Sequence, residues 1–382
     1  MIQTHDNQNN CNSKNKECKR AIIRIYSFPS PDSFVNPYLK MFYKHLSAYG
    51  YEWRGAISFN RKWFRENINK CDVLHINWPE HIWANHRWPV AFWRIVNTSY
   101  LLIRAKLAKK VIVLTIHNLS AHGNNNIFVR LGNIIMSRIC DIAISHSYWA
   151  ATETVKMFKC DPAKVIVMFH GTYNGEYPQP QSRDKTCQHY GLKEGVPIVG
   201  FFGFIRRYKG VGTLVNAFTN EIKAQLLIAG RFLHAHDHES FLEMEQRSSL
   251  DMVTIFKNLS SQEFSDLMNA CAMIVLPYKE VTGSGVLLAA LTFGKPVIVS
   301  DQPYFKEIMG REPKAFLTFK TNDSVSLKEA IEQMLASDLT EASQAAKRLA
   351  DIYKWEEVIK PVAVRLDEIM ENKYHIKRKK TS

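Results

Sequence analysis

The sequence predicts an α/β protein built of two tandem, Rossmann-like doubly wound domains with a cleft between them. Short apolar runs rich in Val and Ile alternate with stretches of helical periodicity, the pattern of βαβ units around a parallel sheet. That rhythm runs twice. Between the two runs lies "TYNGEYPQPQSRDKTCQHYGLKEG" (172–195), a loop-like stretch of Pro, Gly and polar residues read as containing the domain link. A chain of 382 residues suits two or three domains at roughly 150 residues each.

The elements follow in order. "AIIRIYSF" (21–28) is the first strand; turn residues and a helix ending near Gly50 come after it. "DVLHINW" (72–78), "KVIVLTIHN" (110–118), "CDIAISHS" (140–147) and "KVIVMFHG" (164–171) complete the first series. The second comprises "VPIVGFFGF" (196–204), "AQLLIAGRF" (224–232), "MVTIFKN" (252–258), "AMIVLPY" (272–278) and "KPVIVSD" (295–301). "SSQEFSDLMNACA" reads as a helix opened by a Ser cap with Glu263 in its first turn, and 324–373 reads as helical throughout. The expected division is a disordered leader (1–19), a first domain (20–180), a second domain (181–350), a C-terminal helix crossing back to the first domain (351–372) and a basic tail (373–382). In such folds ligands bind at the carboxyl ends of the strands.

Hydrophobic residues make up 46% and charged residues 23%, ordinary for a globular protein with a large core. The net charge of +14 attracts anions: nucleic acid, anionic lipid or phosphorylated small molecules. Seven cysteines, an odd number without CxxC, argue against a disulfide framework or zinc site and for a reducing compartment. "MIQTHDNQNNCNSKNKECKR" lacks the apolar core of a secretory signal, and no window reaches the roughly 20 apolar residues of a membrane span. The expectation is a cytoplasmic protein that meets a membrane only at its inner surface.

Two segments carry phosphate chemistry. "FFGFIRRYKGVGTLVNAF" (201–218) places Gly203, Arg206 and Lys209 between a strand and a helix, where free amides and full cations suit a diphosphate; the plain alternative is a solvated basic turn. It has no GxxxxGK[ST], and no GxGxxG follows the first strand, which disfavours kinases and nicotinamide dehydrogenases. "YKEVTGSGVLLAALTFGKPVIVSD" (278–301) sets Thr282, Gly283, Ser284 and Gly285 directly before a helix ending at Gly294, with no acid between Glu280 and Asp301. Two helix starts aimed at one cleft suit a sugar nucleotide, whose leaving group is a nucleoside diphosphate.

"GFIRRYKGVGTLVNAF", "LLIAGR", "FSDLMNACAMIVLPY" and "GVLLAALTFGKPVIVSD", in that order and spacing, resemble the C-terminal domain of GT-B glycosyltransferases, in particular the glycosyltransferase family 4 group and its bacterial exopolysaccharide relatives. "HINWPEH", "TIHNLSAH" and "HGTYNGEYP" resemble a bacterial subgroup of them. The resemblance implies that Arg206 and Lys209 stabilise the leaving diphosphate, that no metal or other cofactor is required, and that His117 stands beside the donor sugar. One departure is plain: the acids usual at the start of the glycine-rich turn and eight positions on are replaced by Val281 and Ala289, with Glu280 one residue early.

In the N-terminal half, Glu80 follows a strand, where a carboxylate can deprotonate an acceptor hydroxyl or simply favour a helix start after Pro79. Asp32 is the other candidate base. Asn36, Asn118 and His122 are expected on the acceptor side, and Glu280 and Glu307 on the donor, Glu307 alternatively capping its own helix. His170 marks a strand end, in a site or a plain turn, whereas His75 and His146 read as core histidines. Segment 81–110 interleaves Arg87, Arg94, Arg104, Lys106, Lys109 and Lys110 with Trp83, Trp88, Phe92, Trp93 and Tyr100 and contains no acid. That suits an anionic bilayer surface, or a core helix with a basic solvated face. No nucleic-acid motif accompanies it. The functional expectation is transfer of a sugar from a GDP- or UDP-linked donor to a hydroxyl of a lipid-linked glycan in capsule or exopolysaccharide assembly. The alternatives are a sugar-nucleotide epimerase of the same fold and an inactive donor-binding scaffold.

Overall fold

The computed structural model describes residues 22–33, 37–83, 87–119, 127–233, 237–238, 241–242 and 250–374. Two six-stranded sheets form its framework, and every strand pair in both is parallel. The first holds β1 (Ile23–Phe28), β2 (Tyr51–Ala56), β3 (Val73–Asn77), β4 (Val111–Ile116), β5 (Ile142–Ser145) and β6 (Val165–Val167). The second holds β7 (Ile198–Phe202), β8 (Gln225–Gly230), β9 (Met252–Phe256), β10 (Met273–Leu276), β11 (Val297–Ser300) and β12 (Phe316–Phe319). β3, β4, β5, β7, β8, β10 and β11 are buried at every position, which is why they read as continuous apolar runs rather than alternating ones.

The spatial orders are β2-β1-β3-β4-β5-β6 and β12-β11-β10-β7-β8-β9. The second is the doubly wound order in which the chain reverses direction between its first and fourth strands, here β7 and β10. The first reverses between β1 and β3. A crevice opens at the strand carboxyl ends at each reversal, and the site is built there.

The sequence reading omits β2 and β12, and both are edge strands. β2 carries Glu52, Arg54 and Gly55 and is half-exposed, so it shows no apolar run; β12 is short and exposes Thr318. The stretch 172–195, read as loop-like, contains a helix, Arg183–Tyr190, with only Thr186 and Cys187 buried; its apolar face is too narrow to register as helical periodicity. Local signals elsewhere hold. Ser260 and Glu263 form a reciprocal cap at the helix Ser261–Ala270, and the helix Gly285–Thr292 is followed by Gly294 at φ +64.

The C-terminal helical region is broken into Ser324–Ala336, Leu339–Ile352, Trp355–Val358 and Lys360–Tyr374. The last two lie on the first sheet's domain. Tyr51 donates its hydroxyl to Asp367 at 2.6 Å, Arg365 donates to the Ala163 carbonyl at 3.0 Å, and Lys373 reaches the Lys110 carbonyl at 3.1 Å. Trp355 is buried against Gly171, where any Cβ would fall 2.5 Å from the indole.

Candidate functional site

On the C-terminal side, the loops after β7 and β10 meet at the reversal point. Gly210, at φ +69, lies so close to Pro277 that a Cβ there would come within 1.8 Å of the Pro277 carbonyl oxygen, so glycine is required. The amide of Lys279 donates to the Tyr208 carbonyl at 2.7 Å. Lys209 is half-buried in the fold so made, its ammonium 3.5 Å from the centre of the Tyr278 ring and 5.3 Å from that of Tyr208, a cation–π contact with both. The Arg206 guanidinium lies 5.9 Å from the Tyr208 ring. Burial, and then the charge of Arg206, push Lys209 down to about 7. Two cations crowded together and partly stripped of water form a receptor for an anion. Gly203, at φ +109, packs its Cα side toward Val286 in the first turn of the helix Gly285–Thr292, which brings that helix start beside the Arg206–Lys209 loop.

On the N-terminal side, β3 ends at Asn77 and leads into Trp78, Pro79 and Glu80. Trp78 adopts a left-handed backbone at φ +46, a costly conformation for a bulky residue, and stacks on His117 with ring centres 3.8 Å apart. His117 Nε2 pairs with Asn77 Oδ1 at 3.1 Å. Glu80 is buried, and burial pushes its carboxyl above the ordinary carboxylate range; the hydrogen bond donated by Asn118 to Oε1, at 2.7 Å, pulls the other way. His75, His146 and His170 are buried, and desolvation holds them neutral, at about 3, 4 and 3 respectively. His117 lies well below its ordinary value for the same reason, reinforced by the neighbouring histidines.

Three contacts tie the halves together across the cleft. Thr282 donates its hydroxyl to the His117 carbonyl. Gly283 faces His146, with the nearest ring carbon 3.7 Å from where its Cβ would stand. The Glu307 carboxylate accepts the amide hydrogens of Tyr148, at 2.8 Å, and Trp149, at 3.1 Å, at the start of the helix Tyr148–Phe158. The glycine-rich turn, His117 and Glu80 therefore converge: Thr282 touches His117, and the next residue, Asn118, holds Glu80.

Several of the expected site residues make hydrogen bonds within the protein. Thr282, expected on the donor, gives its hydroxyl hydrogen to His117. Ser284 spends an oxygen lone pair as the N-cap, accepting from the Leu287 amide at 3.2 Å. Glu307, expected on the donor or on its own helix, instead caps a helix of the other domain, because packing across the cleft brings that helix start to it. Asn118, expected on the acceptor, is engaged by Glu80. Asp32 is exposed and pairs with Lys40 at 3.4 Å. Glu280 is exposed at the edge of the turn, and Gly285 opens its helix as expected. Val281 and Ala289, where acids are usual, are buried apolar positions. Asn36 and His122 lie outside the described residues. The sequence reading missed Asn77, Trp78, Tyr208 and Tyr278; the one signal for the first two was their place directly before Pro79-Glu80 at a strand end.

Residues 182–351, which contain Arg206, Lys209 and the glycine-rich turn, match the family described as Glycosyl transferases group 1. A GDP-mannose:glycolipid 4-beta-D-mannosyltransferase of Xanthomonas campestris pv. campestris is 25% identical over 286 residues, covering 72% of this chain and 73% of that protein. Among solved structures, Anabaena HepE in complex with UDP and glucose superposes with a TM-score of 0.68 at 13% identity, over 91% of this chain and 100% of that one. The sucrose-phosphate synthase of Thermosynechococcus elongatus superposes with a TM-score of 0.70 at 16% identity, over 92% and 100%. Residues 182–351 are thus similar to a group 1 glycosyl transferase domain, and the two parallel sheets have the fold of the GT-B glycosyltransferases.

Proposed function

We propose that the chain transfers mannose from GDP-mannose to a hydroxyl of a glycolipid with inversion at the anomeric carbon, and that it does so without a metal. The observation that carries this reading is the convergence of a buried, proton-avid Glu80 with the glycine-rich turn through Asn118, His117 and Thr282. The curated relative supports the donor: a β-mannoside made from an α-linked nucleotide sugar requires a single displacement. In that step Glu80 takes the proton of the acceptor hydroxyl while its oxygen bonds to the anomeric carbon. The bond from that carbon to the diphosphate oxygen breaks, and the new negative charge falls to Arg206 and Lys209. The buried apolar side chains of Val281 and Ala289 are in keeping with a donor held chiefly by backbone amides and cations.

A lipid-linked acceptor implies work at a membrane surface. No helix among the described residues is long and apolar enough to cross a membrane. The helix Trp88–Leu107 instead buries Ala91, Ile95, Leu101, Leu102 and Ala105 and exposes Trp88, Phe92, Trp93, Val96, Ile103 and Leu107. Arg87, Arg104 and Lys109 are exposed around that apolar face, and we assign it to an anionic bilayer at the inner face of the cell membrane, as in polysaccharide assembly.

The test is a panel of GDP- and UDP-sugars offered with a polyprenyl-linked acceptor, with nucleoside diphosphate release and the anomeric configuration of the product both recorded. GDP release with a β-linked product is the expected result. An α-linked product would overturn Glu80 as the base, and donor binding without turnover across the panel would leave a binding scaffold.

A further inference from the structure

His146 reads as a core histidine in the sequence, and its ring is buried as such a residue's would be, at 2% exposed. It directly follows β5, at the strand's carboxyl end, where folds of this kind take their ligands. Its two nitrogens differ. Nδ1 lies 2.8 Å from the Met168 carbonyl oxygen, which can only accept, so Nδ1 carries the proton. Burial keeps the ring neutral, and Nε2 is therefore a bare acceptor. Among the described residues nothing donates to it. Buried acceptors are nearly always satisfied, because an unpaired one has given up its hydrogen bond to water for nothing. The surroundings of Nε2 indicate what satisfies it. The ring carbon bonded to it, Cδ2, faces Gly283 of the glycine-rich turn, 3.7 Å from where a Cβ there would stand. The His117 ring stands on another side, with centres 4.9 Å apart, and Tyr38 meets the ring edge-on at 5.5 Å. Thr282, the residue before Gly283, spends its hydroxyl hydrogen on the His117 carbonyl. The unpaired acceptor thus sits in the contact between the two domains, at the mouth through which a cleft ligand enters.

We propose that His146 is a specificity-determining residue: its Nε2 accepts a hydrogen bond from a hydroxyl of the sugar carried by the nucleotide, which inserts between Gly283 and the ring. This rests on the reading of the cleft as a nucleotide-sugar site. The donor is favoured over the glycan acceptor because Gly283 belongs to the turn that opens the helix Gly285–Thr292, beside the Arg206–Lys209 loop. A diphosphate held by that loop and that helix start leaves its sugar next to His146. In the structure the turn rests on the ring, so the two walls part as the sugar enters, and Nε2 gains its partner in the same step. The consequence for selectivity is specific. A hydroxyl fits at Nε2, whereas an ether, a fluorine or an ionised carboxylate at the same position of the sugar sets lone pair against lone pair.

Long-range nitrogen–proton NMR of the full chain labelled at histidine reads Nε2 directly, with a His146→Asn variant to assign the signals. The titrants are GDP and UDP, then GDP-mannose and a panel of other GDP- and UDP-sugars. The expected result is an unprotonated Nε2 that keeps its shift with GDP or UDP and moves toward the hydrogen-bonded range when a nucleotide sugar binds. A nucleotide sugar that binds and leaves Nε2 where it was overturns the contact. A shift that appears only on adding the glycan acceptor overturns its assignment to the donor. If GDP-mannose fails to bind while another nucleotide sugar moves Nε2, the proposed donor falls and the contact stands; binding by none of the panel overturns both. Calorimetric affinities supply a second arm. His146→Asn keeps an amide hydrogen for Met168 but ends short of Nε2, so it should bind the nucleotide sugar about tenfold more weakly and the nucleoside diphosphate as before. His146→Gln, which carries an oxygen toward the Nε2 position, should recover part of that loss. Equal weakening of both ligands in His146→Asn would overturn the sugar contact.

Discussion

The side-chain amide of Asn118 donates to Glu80 Oε1 at 2.7 Å, and it is the main contact opposing the effect of burial on that carboxyl. Asn118→Ala removes the opposition. The acid limb of the kcat/KM profile, which reports the base losing its proton, should then move to higher pH. Glu80→Gln should cut kcat by about 10²- to 10⁴-fold, the span general-base catalysis covers. A pH–rate series on the two variants checks both; an acid limb that stays put in Asn118→Ala would separate Asn118 from the base.

Lys209 sets the other limb. Held down to about 7 in the free protein, it is charged below that pH and neutral above it, so kcat/KM should fall as pH rises through about 7. A bound diphosphate favours the charged form, so donor binding near neutrality should take up protons. Calorimetry in buffers of different ionisation enthalpy measures that uptake directly. Arg206→Ala and Lys209→Met should each cost about 10²- to 10³-fold in kcat, as for other groups facing developing charge, and a chelator should leave the rate unchanged.

Glu307 holds the start of the helix Tyr148–Phe158 from the opposite domain. Glu307→Ala leaves two amides without their carboxylate, a loss of about 1 kcal/mol by analogy with helix caps. The closed arrangement should weaken accordingly. Small-angle scattering should show a larger radius of gyration in the variant, and an unchanged profile would mean that Thr282 and the returning C-terminal helices suffice.

The buried histidines make stability depend on mild acid. His75, His146 and His170 titrate at about 3, 4 and 3 in the fold against an ordinary 6.5. Their folded values are depressed, so the folded state binds fewer protons than the unfolded one below 6.5. Stability is fully present above that pH and declines as pH falls, by up to about 1.4 kcal/mol per unit for each group. Urea midpoints at about pH 7 and pH 5.5 should differ clearly, with the lower pH less stable; coincident midpoints would contradict the burial of these rings.

What the sequence made legible was decided by burial. The strands buried at every position were all readable, and so was the glycine-rich turn, because Gly and a Ser cap carry their geometry locally. The edge strands β2 and β12 were not, since both carry exposed positions and their identity comes from the neighbour each pairs with, whereas the edge strands β6 and β9 were readable because their Val and Ile runs are unbroken by charge. The same holds in the site. Arg206 and Lys209 announced themselves by charge and position, and Gly203 by its place after a strand. Glu307 and Thr282 did not reveal their partners, because those partners are amides and a carbonyl on a different domain. Asn77 looked like the end of a strand; its role depends on lying between His75 and His117, which only pairing of β3 with β4 brings about.

Trp355 fills a socket made by Gly171, His45, Tyr38 and His170, all from the first half of the chain. During synthesis that half leaves the ribosome long before Trp355 does. Until residues 355–374 arrive, the aromatic socket stands open and Tyr51 lacks its Asp367 acceptor. The first domain therefore reaches its final packing only after the second has been translated. Messenger truncation or proteolytic nicking between residues 353 and 355 should injure the N-terminal half, far from the break in sequence.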